Sequence, residues 1–392
     1  MNAVFYMAWQ YLRYYWIKTV VLVSSISVIL FLPLGLQVIV QQGSAMLTER
    51  AESTPLLIGA KGSAVDLTLS AIYFKQPVLD PLPNREVFSV NQTGLALAIP
   101  LHMRFVAGDF RIVGTSLEYL QFRQVRLGQG RDFAILGECV LGATASKKLG
   151  LEPGDHILSS PAGAFDVAGS YPLKMKVVGI LQDAGTLDDE AIFVDVKTSW
   201  VIAGLAHGHM DVTQPEAESG VMKREENNVV ANASVLSYTE ITPENINSFH
   251  FHGNPEDFPL DAIIVVPRDR KSGIVLRGRY EEGADPLQIL VPRDIINELL
   301  ETVFSVRDYI MMGSVGVGIA TLATAFLVFM LSIRIRQREI QTIRKIGGSS
   351  RRLKAILACE ILLVIGIGTI IAVGLTLLVS QFGMSLAGVI FG

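Results

Sequence analysis

Two cysteines, Cys139 and Cys359, are all that a chain of 392 residues contains. That excludes a disulfide framework, so packing rather than covalent cross-links must hold the molecule together. No pairing between the two is expected, since Cys359 falls inside an apolar run. An excess of positive charge is also missing: 33 Lys and Arg against 37 Asp and Glu give a net charge of −4. A nucleic-acid binder needs a broad basic face, and nucleic acid is therefore not expected as a partner. Catalytic signatures are absent too. There is no G-x-x-x-x-G-K-[ST] phosphate loop, no G-x-S-x-G elbow and no H-E-x-x-H in the sequence. The chain is not expected to be an enzyme. Internal repeats and low-complexity tracts are lacking as well.

What the chain does have is apolar length. Hydrophobic residues make up 50% of it and mean hydropathy is +0.42, concentrated at about 17–40, 309–333 and 356–380. Each run suffices for a helix to cross roughly 30 Å of hydrocarbon. Residues 334–354 hold eight basic residues against the single acid Glu339, which places that loop in the cytoplasm by the positive-inside tendency. The first run follows an aromatic head (Phe5, Tyr6, Trp9, Tyr11, Tyr14, Tyr15, Trp16) suited to a membrane interface. At 22 residues, 19–40 exceeds a signal h-region of about 7–15, so it reads as an uncleaved anchor with Pro33 as a tolerated kink.

The expected fold is therefore α+β: an integral membrane protein with one N-terminal and two C-terminal transmembrane helices and a large mixed α/β extracytoplasmic domain. The expected divisions are an interfacial helix and first span (1–41), the extracytoplasmic domain in two subdomains (42–307), a second span (308–333), a cytoplasmic loop (334–355), a third span (356–381) and an apolar tail (382–392). The tail is too short for a fourth span and is expected to cap the bundle or re-enter the bilayer. Within the external region, 177–181, 191–196 and 260–267 read as strands, the last ended by Pro267. Residues 143–149 read as a helix stopped by Gly150, and 294–300 as an amphipathic helix running into the second span. Loops or linkers are expected at 75–84, 209–228 and 281–283. The acidic run Asp188, Asp189, Glu190 reads as a solvated turn.

Three sets of residues are candidates for function. In the cytoplasmic loop, Ile340, Ile343 and Ile346 recur at i, i+3 and i+6 with Arg336, Arg344 and Lys345 elsewhere; such an apolar face calls for a protein partner, whereas a plain stop-transfer loop would touch only headgroups. Glu360 is an acid near the cytoplasmic end of a span, where charge is costly, and is expected to lie at the headgroup level and ion-pair with Arg351, Arg352 or Lys354. Four of the six histidines form two His-x-His pairs, His207/His209 and His250/His252. In a strand, i and i+2 share a face, so each pair could chelate a borderline-soft ion such as zinc; ordinary polar positions are the plain alternative.

The loop also resembles the cytoplasmic elbow of the MacB/FtsX-type (type VII, LolC/LolE-related) ABC transporter permeases. The matching residues are Arg338-Glu339-Ile340, then Ile343-Arg344-Lys345-Ile346-Gly347-Gly348-Ser349, then Leu353, Ile356 and Glu360. Weaker matches are 57–63 and 140–155. The resemblance implies a permease or mechanotransmission subunit whose Arg338, Glu339, Ile340, Ile343, Arg344, Lys345, Ile346, Gly347 and Gly348 dock on a separate cytoplasmic ABC ATPase dimer. That partner would hold the ATP and Mg²⁺, and this chain would bind no cofactor of its own unless zinc at the histidines. It further implies a second permease copy (a homodimer), contact with lipids, a periplasmic accessory protein, and residence in the bacterial inner membrane with a large periplasmic domain. Members of that family usually have four spans, and only three fit here. The alternative reading is a membrane-anchored sensor or a zinc-linked metal-binding extracytoplasmic protein.

Overall fold

The structure, a computed structural model, describes residues 2–78, 80–161, 172–208, 221–225, 228–231, 238–282, 286–335, 337–345 and 349–391. Its helices are α1 (Asn2–Tyr14), α2 (Trp16–Glu52), α3 (Ala64–Tyr73), α4 (Arg85–Gln92), α5 (Leu117–Phe122), α6 (Ala143–Leu149), α7 (Val196–Ile202), α8 (Arg270–Glu282), α9 (Pro292–Ile335), α10 (Gln337–Lys345) and α11 (Ser350–Phe391). Its strands are β1 (Leu56–Ala60), β2 (Leu82–Pro83), β3 (Ala96–Ala107), β4 (Phe110–Thr115), β5 (Leu127–Gly130), β6 (Glu138–Leu141), β7 (His156–Leu158), β8 (Ser160–Pro161), β9 (Lys174–Leu181), β10 (Ala191–Asp195), β11 (Ala206–Gly208), β12 (Val221–Glu225), β13 (Asn228–Ala231), β14 (Phe249–Phe251), β15 (Pro259–Leu260), β16 (Ala262–Pro267) and β17 (Leu287–Leu290). The chain divides into two compact units, residues 50–296 and residues 1–49 with 297–392.

The first unit is built on one mixed sheet of order β17-β1-β16-β3-β4-β10-β6-β9-β5, with β7 added on β9 and β8 on β3. Ile192-Phe193-Val194 and Ile263-Ile264-Val265 are fully buried; continuous apolar runs of this kind belong to strands covered on both faces. They account for the strands expected at 191–196 and 260–267, and β9 contains the one expected at 177–181. The long β3 changes partners midway: Ala96 to Leu101 pair with β16, and His102 onward pairs with β4 across a register shift between His102 and Phe105. Two apolar cores result. One gathers Ile112, Leu141, Met175, Val177, Ile192 and Val194, the other Leu56, Ile58, Ala98, Trp200, Ile263 and Val265. The two expected subdomains are thus one unit with two cores sharing a strand.

Local chemistry sets the helices. Ser63 Oγ accepts from Asp66 N at 3.1 Å, capping α3. Leu67 of that helix lies so close over β1 that a Cβ on Gly59 would meet its Cδ1 at 2.4 Å, which explains a glycine inside a buried strand. The helix expected at 143–149 is α6, ended by Gly150 at φ +67°. Two expectations need correction. Glu281 and Glu282 are not a loop but the last residues of α8. The linker expected at 209–228 includes β12, which pairs with β13 in a hairpin; residues 209–220 lie outside the described residues.

Among the described residues, the second unit holds α1 and three helices long and apolar enough to cross a membrane, within α2, α9 and α11. Helix α2 is unbroken through Pro33, and α9 includes the amphipathic stretch expected at 294–300 as its first turns, with Pro292 at its start. The tail continues α11 to Phe391. Leu22, Val23 and Val364 make a small core with Ala325, Val328 and Phe329. Ser27, buried, donates to Gly368 O at 3.1 Å, and a Cβ on Gly368 would meet Ile26 Cγ2 at 2.8 Å; small and polar residues let the two helices approach closely.

Candidate functional site

The elbow is a nine-residue helix, α10, between α9 and α11. Arg338, Glu339, Ile340, Ile343, Arg344 and Lys345 all lie on it, with Arg338 and Lys345 exposed. Arg336, Ile346, Gly347 and Gly348 lie outside the described residues.

Glu360 does pair, but not with Arg351. Lys18 Nζ sits 2.9 Å from Glu360 Oε1, the carboxylate being only 2% exposed, and the ammonium also lies 5.2 Å from the Phe329 ring centre. The reason is helical geometry. Arg351 is nine residues before Glu360 on α11, about 13 Å along the axis and half a turn round it, and Arg351 is exposed.

The acid run is not a solvated turn. Asp188 and Asp189 are each 2% exposed. Asp188 takes a bidentate grip from Arg50, Nη1 to Oδ2 at 2.7 Å and Nη2 to Oδ1 at 2.9 Å. Tyr119 OH donates to Asp188 Oδ1 at 2.7 Å and accepts from Arg50 Nη2 at 3.0 Å. Arg50 Nε donates to Ile72 O, and the Phe74 ring lies 5.1 Å from the guanidinium. Phe74 caps α3 in the left-handed region at φ 54°, a conformation that costs a non-glycine residue energy and that the packing around Arg50 must hold. Burial alone would raise the Asp188 carboxyl, but the charge and hydrogen bonds of Arg50 and the Tyr119 hydroxyl hold it below the usual carboxylate range. Burial, with Asp188 adding to it, pushes the Tyr119 phenol up to about 12. Asp189 instead accepts from the backbone of Ala184 and Thr186 at 3.2 and 3.0 Å, closing the turn. The network missed by sequence reasoning had one available signal, an arginine in the last turn of a long apolar helix.

The histidines occupy a two-stranded antiparallel ribbon, β11 with β14. Its register sets His207 opposite His250, with Ala206 opposite Phe251 and Gly208 opposite Phe249. His252 N donates to Leu205 O at 2.9 Å, carrying the pairing one step further. Alternation does the rest: Phe249 and Phe251 pack on the apolar cores, Phe251 lying 5.8 Å from the Phe258 ring, while the histidines share the other face. The ring centres of His207 are 5.3 Å from His250 and 4.6 Å from His252, and those of His250 and His252 are 4.7 Å apart. One nitrogen from each of the three falls within 4.8 Å of the others. A Cβ on Gly208 would meet Phe249 Cδ2 at 2.6 Å, so the ribbon closes only with glycine there. His209 lies outside the described residues. Asp257, an acid near this ribbon in sequence, pairs instead with Arg85 at 2.9 Å.

No family model and no curated protein matches the chain. Among solved structures, it is similar to the periplasmic region of MacB from Actinobacillus actinomycetemcomitans, at 12% identity and a TM-score of 0.37, over 65% of this chain and 97% of that one. It is also similar to the extracellular domain of the ABC-type transporter YknZ from Gram-positive bacteria, at 8% identity and a TM-score of 0.31, over 60% of this chain and 98% of that one.

Proposed function

We propose that the chain is the membrane subunit of an ABC-type transporter in the bacterial inner membrane, with ATP hydrolysis carried out by a separate cytoplasmic ATPase dimer. In this reading two copies assemble, the loop around α10 rests on the ATPase, and ATP-driven closure of that dimer moves the sheet domain on the periplasmic side. The chain itself has no catalytic role. The observation that carries the reading is α10, a short helix dense in Arg and Lys set between two helices each able to cross a membrane. Anchoring needs only the charge. Ile340 and Ile343 on the same short helix exceed that need and suit a protein groove. The motif resemblance at 338–360 supports the same partner.

The test is a detergent pull-down of the tagged full-length chain from its host, with ATPase assay and mass spectrometry of the eluate, beside the Ile343→Asp variant. An ATPase copurifies with the wild type, and the substitution weakens its capture by about 30-fold, the equivalent of about 2 kcal/mol for one central contact. Recovery of the chain with no ATPase in either sample would sink the proposal.

A further inference from the structure

We infer that His207, His250 and His252 form a three-imidazole site for a borderline divalent cation, Zn²⁺ foremost. The inference goes beyond the transporter reading and does not depend on it. Three features carry it.

The first is distance. Two nitrogens bound to one zinc at about 2.0–2.1 Å with tetrahedral angles stand about 3.3 Å apart; Nε2 of His252 and Nε2 of His207 are 3.4 Å apart. The third imidazole has a nitrogen within 4.8 Å of both, so a small rotation of its ring completes a common focus. The second is scaffold. The three residues come from both strands of one ribbon, two at i, i+2 and the third directly across from His250, and the ribbon is pinned from beneath by Phe249 and Phe251. A site on paired strands keeps its donors in place better than one on a loop. The third is chemistry. Imidazole suits Zn²⁺ as well as Cu²⁺ and Ni²⁺, and disfavours the oxygen-seeking Mg²⁺ and Ca²⁺. Neither a thiol nor a carboxylate belongs to the cluster among the described residues.

Among the described residues three nitrogens converge, and a tetrahedral ion takes one ligand more, water or a further donor. His250 and His252 are exposed and His207 is half-buried, so the ion would be reachable from solvent. Such a site suits reversible capture of the ion rather than folding around it.

The experiment uses full-length protein in detergent, purified on a tag without histidine and stripped with chelator. Zn²⁺ is titrated in competition with a chromophoric chelator, and Co²⁺ is added separately to read coordination from its visible absorption. The wild type should take up one saturable equivalent of Zn²⁺ per chain and give the intense Co²⁺ bands of a four-coordinate site. Replacing His250 and His252 together by Ala should weaken Zn²⁺ by at least about 100-fold and remove the bands, and His207→Ala should do the same. His156→Ala, at a histidine held by Glu240 at 3.0 Å, is the control and should change nothing. Variant folding is read independently from thermal unfolding without metal, which substitutions at the exposed His250 and His252 and the half-buried His207 should leave in place. No saturable equivalent in the wild type overturns the inference, as does an affinity unchanged in the His207/His250/His252→Ala triple variant.

Discussion

Replacing Asp188 by Ala should destabilise the sheet domain by about 3–5 kcal/mol, a fall in unfolding temperature of about 6–20 °C for a unit of this size. The size of the effect comes from what stays behind. Arg50 is 9% exposed, and without Asp188 its guanidinium keeps only Tyr119 and the Ile72 carbonyl as hydrogen-bond partners. A buried charge stripped of its counter-ion costs far more than the intact pair contributes. For that reason the double variant Arg50→Met with Asp188→Leu should recover most of the loss, since apolar replacement of a buried pair is often neutral. The check is denaturant unfolding of the full-length protein followed near Trp200, whose indole is buried in this unit and donates to Pro259 O. A double variant as unstable as the sum of the singles would show that Arg50 and Asp188 are not coupled. The pH dependence has a fixed sign. The Asp188 carboxyl is held below its unfolded value near 3.9, so the pair's contribution is fully present above about pH 4 to 5. It is lost as pH falls further through the folded value.

Lys18→Met should have the second largest effect, about 3 kcal/mol in the unit of long apolar helices. It removes the cation that lies 2.9 Å from the Glu360 carboxylate, itself 2% exposed, on a helix whose Val364 packs in an apolar core. Charge in such surroundings needs a partner. Glu360→Gln with Lys18 intact should cost less, because Lys18 is 19% exposed and also meets the Phe329 ring. Combining Lys18→Met with Glu360→Leu should restore much of the stability. Thermal unfolding in detergent measures all three, and a Lys18→Met protein indistinguishable from wild type would remove the ion pair from the account.

Much of this architecture could be read from the chain. The apolar runs gave the long helices because length and hydropathy alone decide whether a helix can cross a bilayer. Strands β10 and β16, and β9 from Val177 on, were legible because each is an apolar run rich in β-branched residues and largely buried on both faces. Failures came where a residue's meaning lies in a distant partner. Asp188 looks like turn chemistry until Arg50, 138 residues away, is placed beside it. Glu360 has basic residues nearby in sequence, yet its partner Lys18 is 342 positions off, and the helix turns Arg351 to the other side. The histidines fall between these cases. The i, i+2 spacing of His250 and His252 announces a shared face, but only strand register brings His207 across from them.

The place of β1 has a consequence for how the molecule is made. This strand, Leu56–Ala60, lies between β16 and β17, both encoded about 200 residues downstream. At a synthesis rate of about 5–20 residues per second, its neighbours arrive about 10–40 s after it does. Throughout that interval Leu56, Leu57 and Ile58, all buried in the finished sheet, have neither side of their ladder satisfied. Closing so long a loop is also slow in itself. The half of the sheet that holds β1 is therefore the last to be completed, and an unfinished chain presents an apolar strand with two open edges to whatever surrounds it.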